Sequence, residues 1–392
     1  MFSLKTYTSK FANIIWWKLF ERKRTLSARI LKMRHPEFTQ ITENNVKEVL
    51  DSVDTVLLDC DGVLWRGEDA IPGSPETVRM LRAMGKQPVF LTNYSILSRK
   101  ELMEKFTHLG YDVREEEIYS SATLAGLYLQ SHLQTDETVF VLGSQGLHDE
   151  IESFGVKVAP LDSEDHVFDI QSLTETLKID PKIGAVVVAF DINFNYRKLL
   201  RAANILSKES THFLVTNEDP RLPSNDGWIV PDCGCLIESV IKATKRTPTV
   251  LGKPNKFAWD FISKRFHVNP ERTIMIGDSL NTDILFGYNC GIRRSLVLSG
   301  ISSYADVTNR IDEVKHHPNA EKWIPNYYIQ SLGTIAKCLW SLGLYEPDPD
   351  GDVCSDSASD ETIEDRVDPW VSQPGTSSAN GICHRKEVIT TV

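Results

Sequence analysis

The segment VLLDCDGVLWRG, residues 56–67, sets Asp59 and Asp61 on either side of Cys60, at the end of a run of strand-forming residues. Two carboxylates that close repel each other, and burial raises the cost. A cation or a reaction has to justify the pair. Other polar residues gather after later apolar runs: Thr92 and Asn93 after PVFL, Lys253 in VLGKPN, and Asp278 and Asp283 in IGDSLNTDI. Each type suits one reaction. Carboxylates form a hard-oxygen site for Mg²⁺, which keeps waters and phosphate oxygens in its shell. A carboxylate also attacks phosphorus to form an aspartyl-phosphate. A second carboxyl protonates the leaving oxygen and then accepts a proton from the attacking water. A lysine offsets the crowded negative charge, the Thr92 hydroxyl and backbone N–H groups take phosphoryl oxygens, and Gly62 lets the chain turn sharply. Singly, each residue has a plainer reading. An Asp after a strand is a turn former or helix cap, Lys253 before Pro254 is a loop residue, and Asp283 caps the helix ILFGYNCG. Their common placement at strand ends favours one shared site.

The elements that must position these residues read as alternating strands and helices. Short apolar runs recur from about residue 44 to 343: TVLLD (55–59), PVFLT (88–92), VFVLG (139–143), AVVVAF (185–190), HFLVT (212–216), TIMIGD (273–278), SLVLSG (295–300) and NYYI (326–329). Continuous apolar strands separated by amphipathic helices indicate a parallel sheet covered on both faces. Ligands of such sheets bind at the carboxyl ends of the strands. SRKELMEKFTHLG predicts one such helix. Ser98 and Glu101 form a capping box, Leu102, Phe106 and Leu109 an apolar stripe, and Gly110 the stop. Alternation along the first strand turns Cys60 away from the two aspartates, into the packing of the sheet.

The 392 residues suffice for two domains and tails, with the composition of a globular protein: 41% hydrophobic and 25% charged. A net charge of -11 argues against a general nucleic-acid role. Residues 1–40 form a basic extension. Within 1–34, nine Lys and Arg face Glu21 alone, and the apolar stretch is too short to span a bilayer. A mitochondrial presequence, a membrane-surface helix and an extension without an address all fit it, and initiation at Met33 would remove it. Residues 345–392 are acidic, rich in Ser and Pro, and expected to be disordered. Ser357 and Thr362 there suit an acid-directed kinase, and the terminal TTV suits a PDZ-type sheet edge. Seven scattered cysteines without a CxxC fit reduced thiols in a cytoplasmic protein better than a disulfide framework or zinc site.

Four segments, DCDGVLW (59–65), LTN (91–93), GKP (252–254) and GDSLNTD (277–283), resemble in order the four motifs of haloacid-dehalogenase-superfamily phosphatases. Asp61, which the dehalogenases lack, points to phosphate chemistry. Within the superfamily the chain is similar to the phosphoglycolate and pyridoxal-phosphate phosphatase group, which includes 4-nitrophenylphosphatase-like members. The resemblance implies an α/β fold, a Rossmann-like parallel-sheet core of residues 41–133 and 249–344, with an α/β cap of the C2 type inserted at 134–248. It also implies homodimerisation through that cap. Asp59 would be the nucleophile and a Mg²⁺ ligand, and Asp61 the general acid and base with its backbone carbonyl on the metal. Asp278 would be the remaining protein ligand, supported by Asp283, while Thr92, Asn93 and Lys253 would hold the phosphoryl group.

The cap segment TNEDPRLP (216–223) resembles the phosphoglycolate-type loop. Leu222 stands where pyridoxal-phosphate-type members tend to have histidine, which favours a small aliphatic ester such as 2-phosphoglycolate or glycerol 3-phosphate. Tyr94 departs from the family, whose second motif usually reads TNNS or SNNS. Either it narrows specificity or it is a tolerated substitution at the rim. A pyridoxal-phosphate phosphatase and a non-catalytic interaction module on the same fold are the alternatives. The module would be expected to lack a catalytic residue, and a receiver-type domain would need neither DxDG nor a large insert.

Overall fold

The computed structural model describes residues 38–160, 169–222, 228–314 and 316–345. The basic extension before Phe38, and the acidic tail from residue 346 with Ser357, Thr362 and the terminal TTV, lie outside the described residues.

The chain begins with β1 (Thr39–Gln40) and β2 (Thr55–Leu58). A short antiparallel hairpin follows, β3 (Trp65–Arg66) with β4 (Asp69–Ala70). Next come β5 (Gln87–Thr92) and β6 (Ile118–Ser120), then β7 (Thr138–Leu142), β8 (Lys157–Val158), β9 (Ile183–Val188) and β10 (His212–Val215). A second hairpin pairs β11 (Arg221–Leu222) with β12 (Val230–Pro231). The chain closes with β13 (Thr249–Val250), β14 (Thr273–Gly277), β15 (Arg293–Val297) and β16 (Tyr327–Ile329).

Two parallel sheets result. The larger runs β1-β16-β15-β14-β2-β5-β6 and the smaller β13-β10-β9-β7-β8. β2 sits where the larger sheet's order changes direction, between β14 and β5, and ligand crevices of open parallel sheets form at that point. Register does the rest. Leu58 lies opposite both Ile276 and Phe90, so the chain leaves β2, β14 and β5 side by side at one edge. The smaller sheet is inserted between β6 and β14. The expected return to the larger domain at residue 249 falls slightly early. Thr249 and Val250 still pair with Leu214 and Val215, satisfying the edge of β10, and the chain crosses back just after them.

Alternation divides β2 between two cores, as both faces of the sheet are covered. Val56 and Leu58 pack with Phe90, Trp65 and Phe106 on one face. Leu57 packs on the other with Leu91, and that apolar cluster continues through Val139, Val141, Leu147 and Leu214 of the inserted sheet. Burying a side chain of this size contributes roughly 1.5–3 kcal/mol. The expected helix forms at Arg99–His108 with the expected cap: the Ser98 N–H donates to Glu101 Oε2 (2.7 Å) and the Glu101 N–H to Ser98 Oγ (3.3 Å). Gly110 follows it at φ +80°. Among the described residues no helix is long and apolar enough to cross a membrane.

Candidate active site

Asp59 leaves β2 with its N–H still bonded to Ile276 O (3.0 Å), which aims the next residues over the sheet edge. The chain then turns tightly: the Cys60 carbonyl accepts from the N–H groups of Val63, Leu64 and Trp65 (3.2, 2.7 and 3.3 Å). Gly62 stands at φ +76°, and a Cβ there would lie 2.3 Å from Asp278 Oδ2. Only glycine meets both demands. Cys60 is fully buried in the core, and burial, with the charges of Asp59 and Asp61, pushes its thiol up.

One oxygen each of Asp59, Asp278 and Asp283 lies within 4.8 Å of the others, and all three residues are buried. Lys253, 2% exposed, neutralises part of this charge. Its ammonium donates to Asp59 Oδ1 (2.6 Å), Asp283 Oδ1 (2.6 Å) and the Leu91 carbonyl (2.9 Å), which uses all three of its protons. Burial raises the Asp59 carboxyl well above its usual range, with Lys253 opposing the rise. Burial and the neighbouring charge of Asp283 push Asp278 up to about 7. Burial alone would lower Lys253, but Asp283 and Asp59 outweigh it and hold the ammonium protonated.

Asp283 does not cap the following helix. It lies in a π-helical turn, Leu280–Ile284, in which the Ile284 N–H reaches back to Ser279 O (3.1 Å). That turn folds Asp283 back beneath the loop, where Oδ2 accepts from the N–H groups of Asp278 (3.2 Å) and Ser279 (3.1 Å). With Lys253 on its other oxygen, Asp283 is fully occupied and supports its neighbours. Asp59 and Asp278 differ. Lys253 takes only Asp59 Oδ1 and the Ile301 N–H only Asp278 Oδ2 (2.9 Å), so each keeps an oxygen with no protein donor among the described residues. Two open carboxylate oxygens with a net negative surplus fit a hard divalent cation such as Mg²⁺.

The Asp61 side chain stands apart from this cluster and accepts from Trp65 Nε1 (3.1 Å), while burial raises its carboxyl. The Thr92 hydroxyl, buried at the end of β5, accepts from the Tyr94 N–H (3.0 Å) and keeps its own proton to donate. Tyr94 is half-buried against the core, and burial beside Asp61 pushes its phenol up to about 12.

The side chain of Asn93 is held within the protein. Its side-chain oxygen accepts from the Lys253 N–H (2.8 Å), and its amide donates to Lys253 O (3.0 Å) and Asp219 Oδ2 (2.9 Å). The Asn93 side chain thus braces Lys253, while its backbone N–H, next to the Thr92 hydroxyl, has no acceptor among the described residues. Leu222 lies in the β11–β12 hairpin opposite Val230, and residues 223–227 after it are outside the described residues. Sequence spacing missed Trp65 as a partner of Asp61, Ile301 as a donor to Asp278, and Asp219.

Comparison with known proteins agrees with this geometry. Residues 56–157 match the family model described as haloacid dehalogenase-like hydrolase, and residues 250–328 a second, HAD-hydrolase-like model. The chain is 38% identical over 307 residues to glycerol-3-phosphate phosphatase of Mus musculus, covering 76% of this chain and 95% of that protein. It is 36% identical over 308 residues to phosphoglycolate phosphatase 2 of Arabidopsis thaliana, covering 77% and 98%. The solved structure of a 4-nitrophenylphosphatase from Thermotoga maritima superposes with a TM-score of 0.61 at 29% identity, covering 74% of this chain and 98% of that one.

Proposed function

This chain belongs to the haloacid-dehalogenase-like hydrolases and is a phosphatase, and we propose that it is a Mg²⁺-dependent phosphomonoesterase working through an aspartyl-phosphate on a small aliphatic ester, 2-phosphoglycolate or glycerol 3-phosphate. The observation that carries the reading is Asp59 at the end of β2, one oxygen held by Lys253 and the other open, with Asp61 two residues on.

One carboxylate oxygen of Asp59 attacks phosphorus as the ester oxygen leaves with the proton of Asp61. Burial raises the Asp61 carboxyl and so favours the protonated form the first step needs. A water then attacks the phosphorus of the aspartyl-phosphate and gives its proton to Asp61. The P–O bond to Asp59 breaks, releasing phosphate and restoring both carboxyls. Trp65 holds Asp61 in place through its indole N–H. Lys253 opposes the charge that builds on the phosphoryl oxygens, and the Thr92 hydroxyl is free to donate to one of them. Asp59, Asp278 and the Asp61 carbonyl would hold Mg²⁺, which when bound supplies the positive charge the three carboxylates leave uncompensated.

The names of the mouse and Arabidopsis relatives and Leu222 in the inserted domain support the choice of substrate. Self-association through the inserted domain belongs to the same proposal. Ile192 and Trp228 there are 84% and 76% exposed, apolar surface that a second copy would cover.

The test is phosphate release with Mg²⁺ from 2-phosphoglycolate, glycerol 3-phosphate and pyridoxal phosphate, for wild type beside Asp59→Asn. An aliphatic ester should turn over best, and the variant should be inactive. Activity surviving in Asp59→Asn assigns the wrong nucleophile. Preference for pyridoxal phosphate removes the substrate assignment and leaves the mechanism.

A further inference from the structure

One group of side chains, where the two sheets meet, is left over from this mechanism. Asp219 follows β10 in the inserted domain, and two amides converge on its Oδ2: Asn93 from the larger domain (2.9 Å) and Asn217 from its own loop (2.8 Å). One oxygen with two lone pairs accepts both donors. Asn93 in turn grips the Lys253 backbone from both sides, at its N–H (2.8 Å) and its carbonyl (3.0 Å). A short chain of contacts therefore runs from the inserted domain to the lysine that holds Asp59.

The surroundings allow this crossing little freedom. The Gly252 N–H donates to Thr216 O at 2.7 Å. A Cβ on Gly252 would lie 2.5 Å from Thr216 O and 2.6 Å from Asn93 Oδ1. On the far side the Gly234 N–H donates to Asp219 O (3.1 Å). A Cβ on Gly234 would lie 2.7 Å from the carbonyl oxygens of both Glu218 and Asp219. The loop is thus pressed onto the start of the helix Cys233–Thr244. Asp232, the neighbouring acid, has a different task. Its Oδ1 accepts from the Cys233 N–H (2.6 Å), and its Oδ2 lies 3.4 Å from the Asn217 amide.

We propose that Asp219 is a positioning residue of the phosphatase reaction, supplied by the inserted domain, which fixes Asn93 and through it the Lys253 backbone. It touches no reacting atom. Its effect reaches the chemistry because Lys253 has no spare donor. An ammonium bonded at once to Asp59, Asp283 and Leu91 cannot follow a shifted backbone without losing one of them, and misplacement of about 1 Å at a catalytic group costs on the order of a hundredfold in rate. The inserted domain therefore completes the catalytic geometry. The inference rests on the phosphatase reading above.

The experiment compares full-length wild type, Asp219→Ala, Asp219→Asn, Asn93→Ala and the double variant Asp219→Ala/Asn93→Ala on whichever phosphate ester wild type hydrolyses best, with thermal melts alongside. Asp219→Ala should lower kcat about tenfold to a hundredfold and leave KM within about threefold. Asp219→Asn, whose side-chain carbonyl still accepts from both amides, should recover to within about threefold of wild type. The double variant should be no worse than Asn93→Ala alone, because the two residues act along one line. An Asp219→Ala enzyme with normal kcat, an Asp219→Asn enzyme as impaired as Ala, or additive losses in the double variant overturns the inference. Wild type silent on every ester overturns the phosphatase reading and this inference with it. A defect confined to the melts, with kcat normal below the transition, reduces Asp219 to a structural role and also overturns it.

Discussion

Replacing Lys253 with methionine tests the electrostatics of the site most directly. The side chain is 2% exposed and its ammonium lies 2.6 Å from both Asp59 Oδ1 and Asp283 Oδ1. Methionine keeps much of the volume and removes the charge, leaving three buried carboxylates within 4.8 Å of one another and no cation. Breaking a buried ion pair from one side costs about 3–5 kcal/mol. In a domain of this size that is a fall of roughly 10 °C in Tm, measured in EDTA so that no divalent cation fills in. The loss should depend on pH. Without the lysine the acids relieve their repulsion by taking up a proton, so their folded pKa values stand further above the unfolded ones. A group raised on folding contributes stability at low pH that is lost as pH rises. Lys253→Met should therefore be nearer wild type at pH 6 than at pH 8. Lys256→Met, at an exposed position three residues on, should melt as wild type does. A Lys253→Met protein that melts with wild type at pH 8 in EDTA would refute the reasoning, since the ammonium would then be offsetting no buried charge.

Three further outcomes are expected. Gly62→Ala would place a Cβ 2.3 Å from Asp278 Oδ2 at φ +76° and should abolish phosphate release, whereas Gly67→Ala, also at positive φ but with nothing within 4 Å, should keep it. Burial alone would raise Glu117, but hydrogen bonds from Arg82 and Arg114 outweigh it and hold the carboxyl at about 2. Its contribution is present above pH 4.5 and lost as pH falls from there toward 2, by an amount on the order of 3 kcal/mol. Glu117→Gln should flatten that part of an acid-denaturation curve, and an unchanged curve would remove the ion pairs as its cause. Leu222→His should raise turnover of pyridoxal phosphate relative to 2-phosphoglycolate in the same phosphate-release assay, and an unchanged ratio would disconnect Leu222 from substrate choice.

What could be read in advance was what strand ends impose. Asp59, Thr92 and Asp278 each follow a continuous apolar run, and parallel pairing of β2, β5 and β14 brings such ends together whatever their separation in the chain. The Ser98–Glu101 cap was legible because it is local. Three kinds of feature were hidden. The three-residue β6 is too short to stand out as a run, and β15 begins earlier than its apolar stretch, with Arg293 reaching Ser52 O (2.8 Å). The π-helical turn that redirects Asp283 shows in no residue pattern, and a cap is the natural expectation for an Asp before a helix. Partners set by tertiary contact were invisible as well: the Ile301 N–H on Asp278, from 23 residues away, and Asp219 on Asn93, from 126. A polar residue at a strand end is expected to face a ligand, and the hold of the Asn93 side chain on its neighbours shows in no spacing. Its amide closes on the Lys253 backbone.

The apolar cluster that runs without a break from Leu57 and Leu91 to Val141 and Leu214 makes the insertion something other than a detachable module. Excising it would uncover the part of that cluster formed by the helices Ser121–His132 and Phe257–Arg265, which lie between the two sheets' apolar residues and are shared by both. Melting should accordingly follow a single cooperative transition, and limited proteolysis should release no stable fragment corresponding to the larger sheet alone. On that expectation the inserted domain and the larger one fold and melt as one unit.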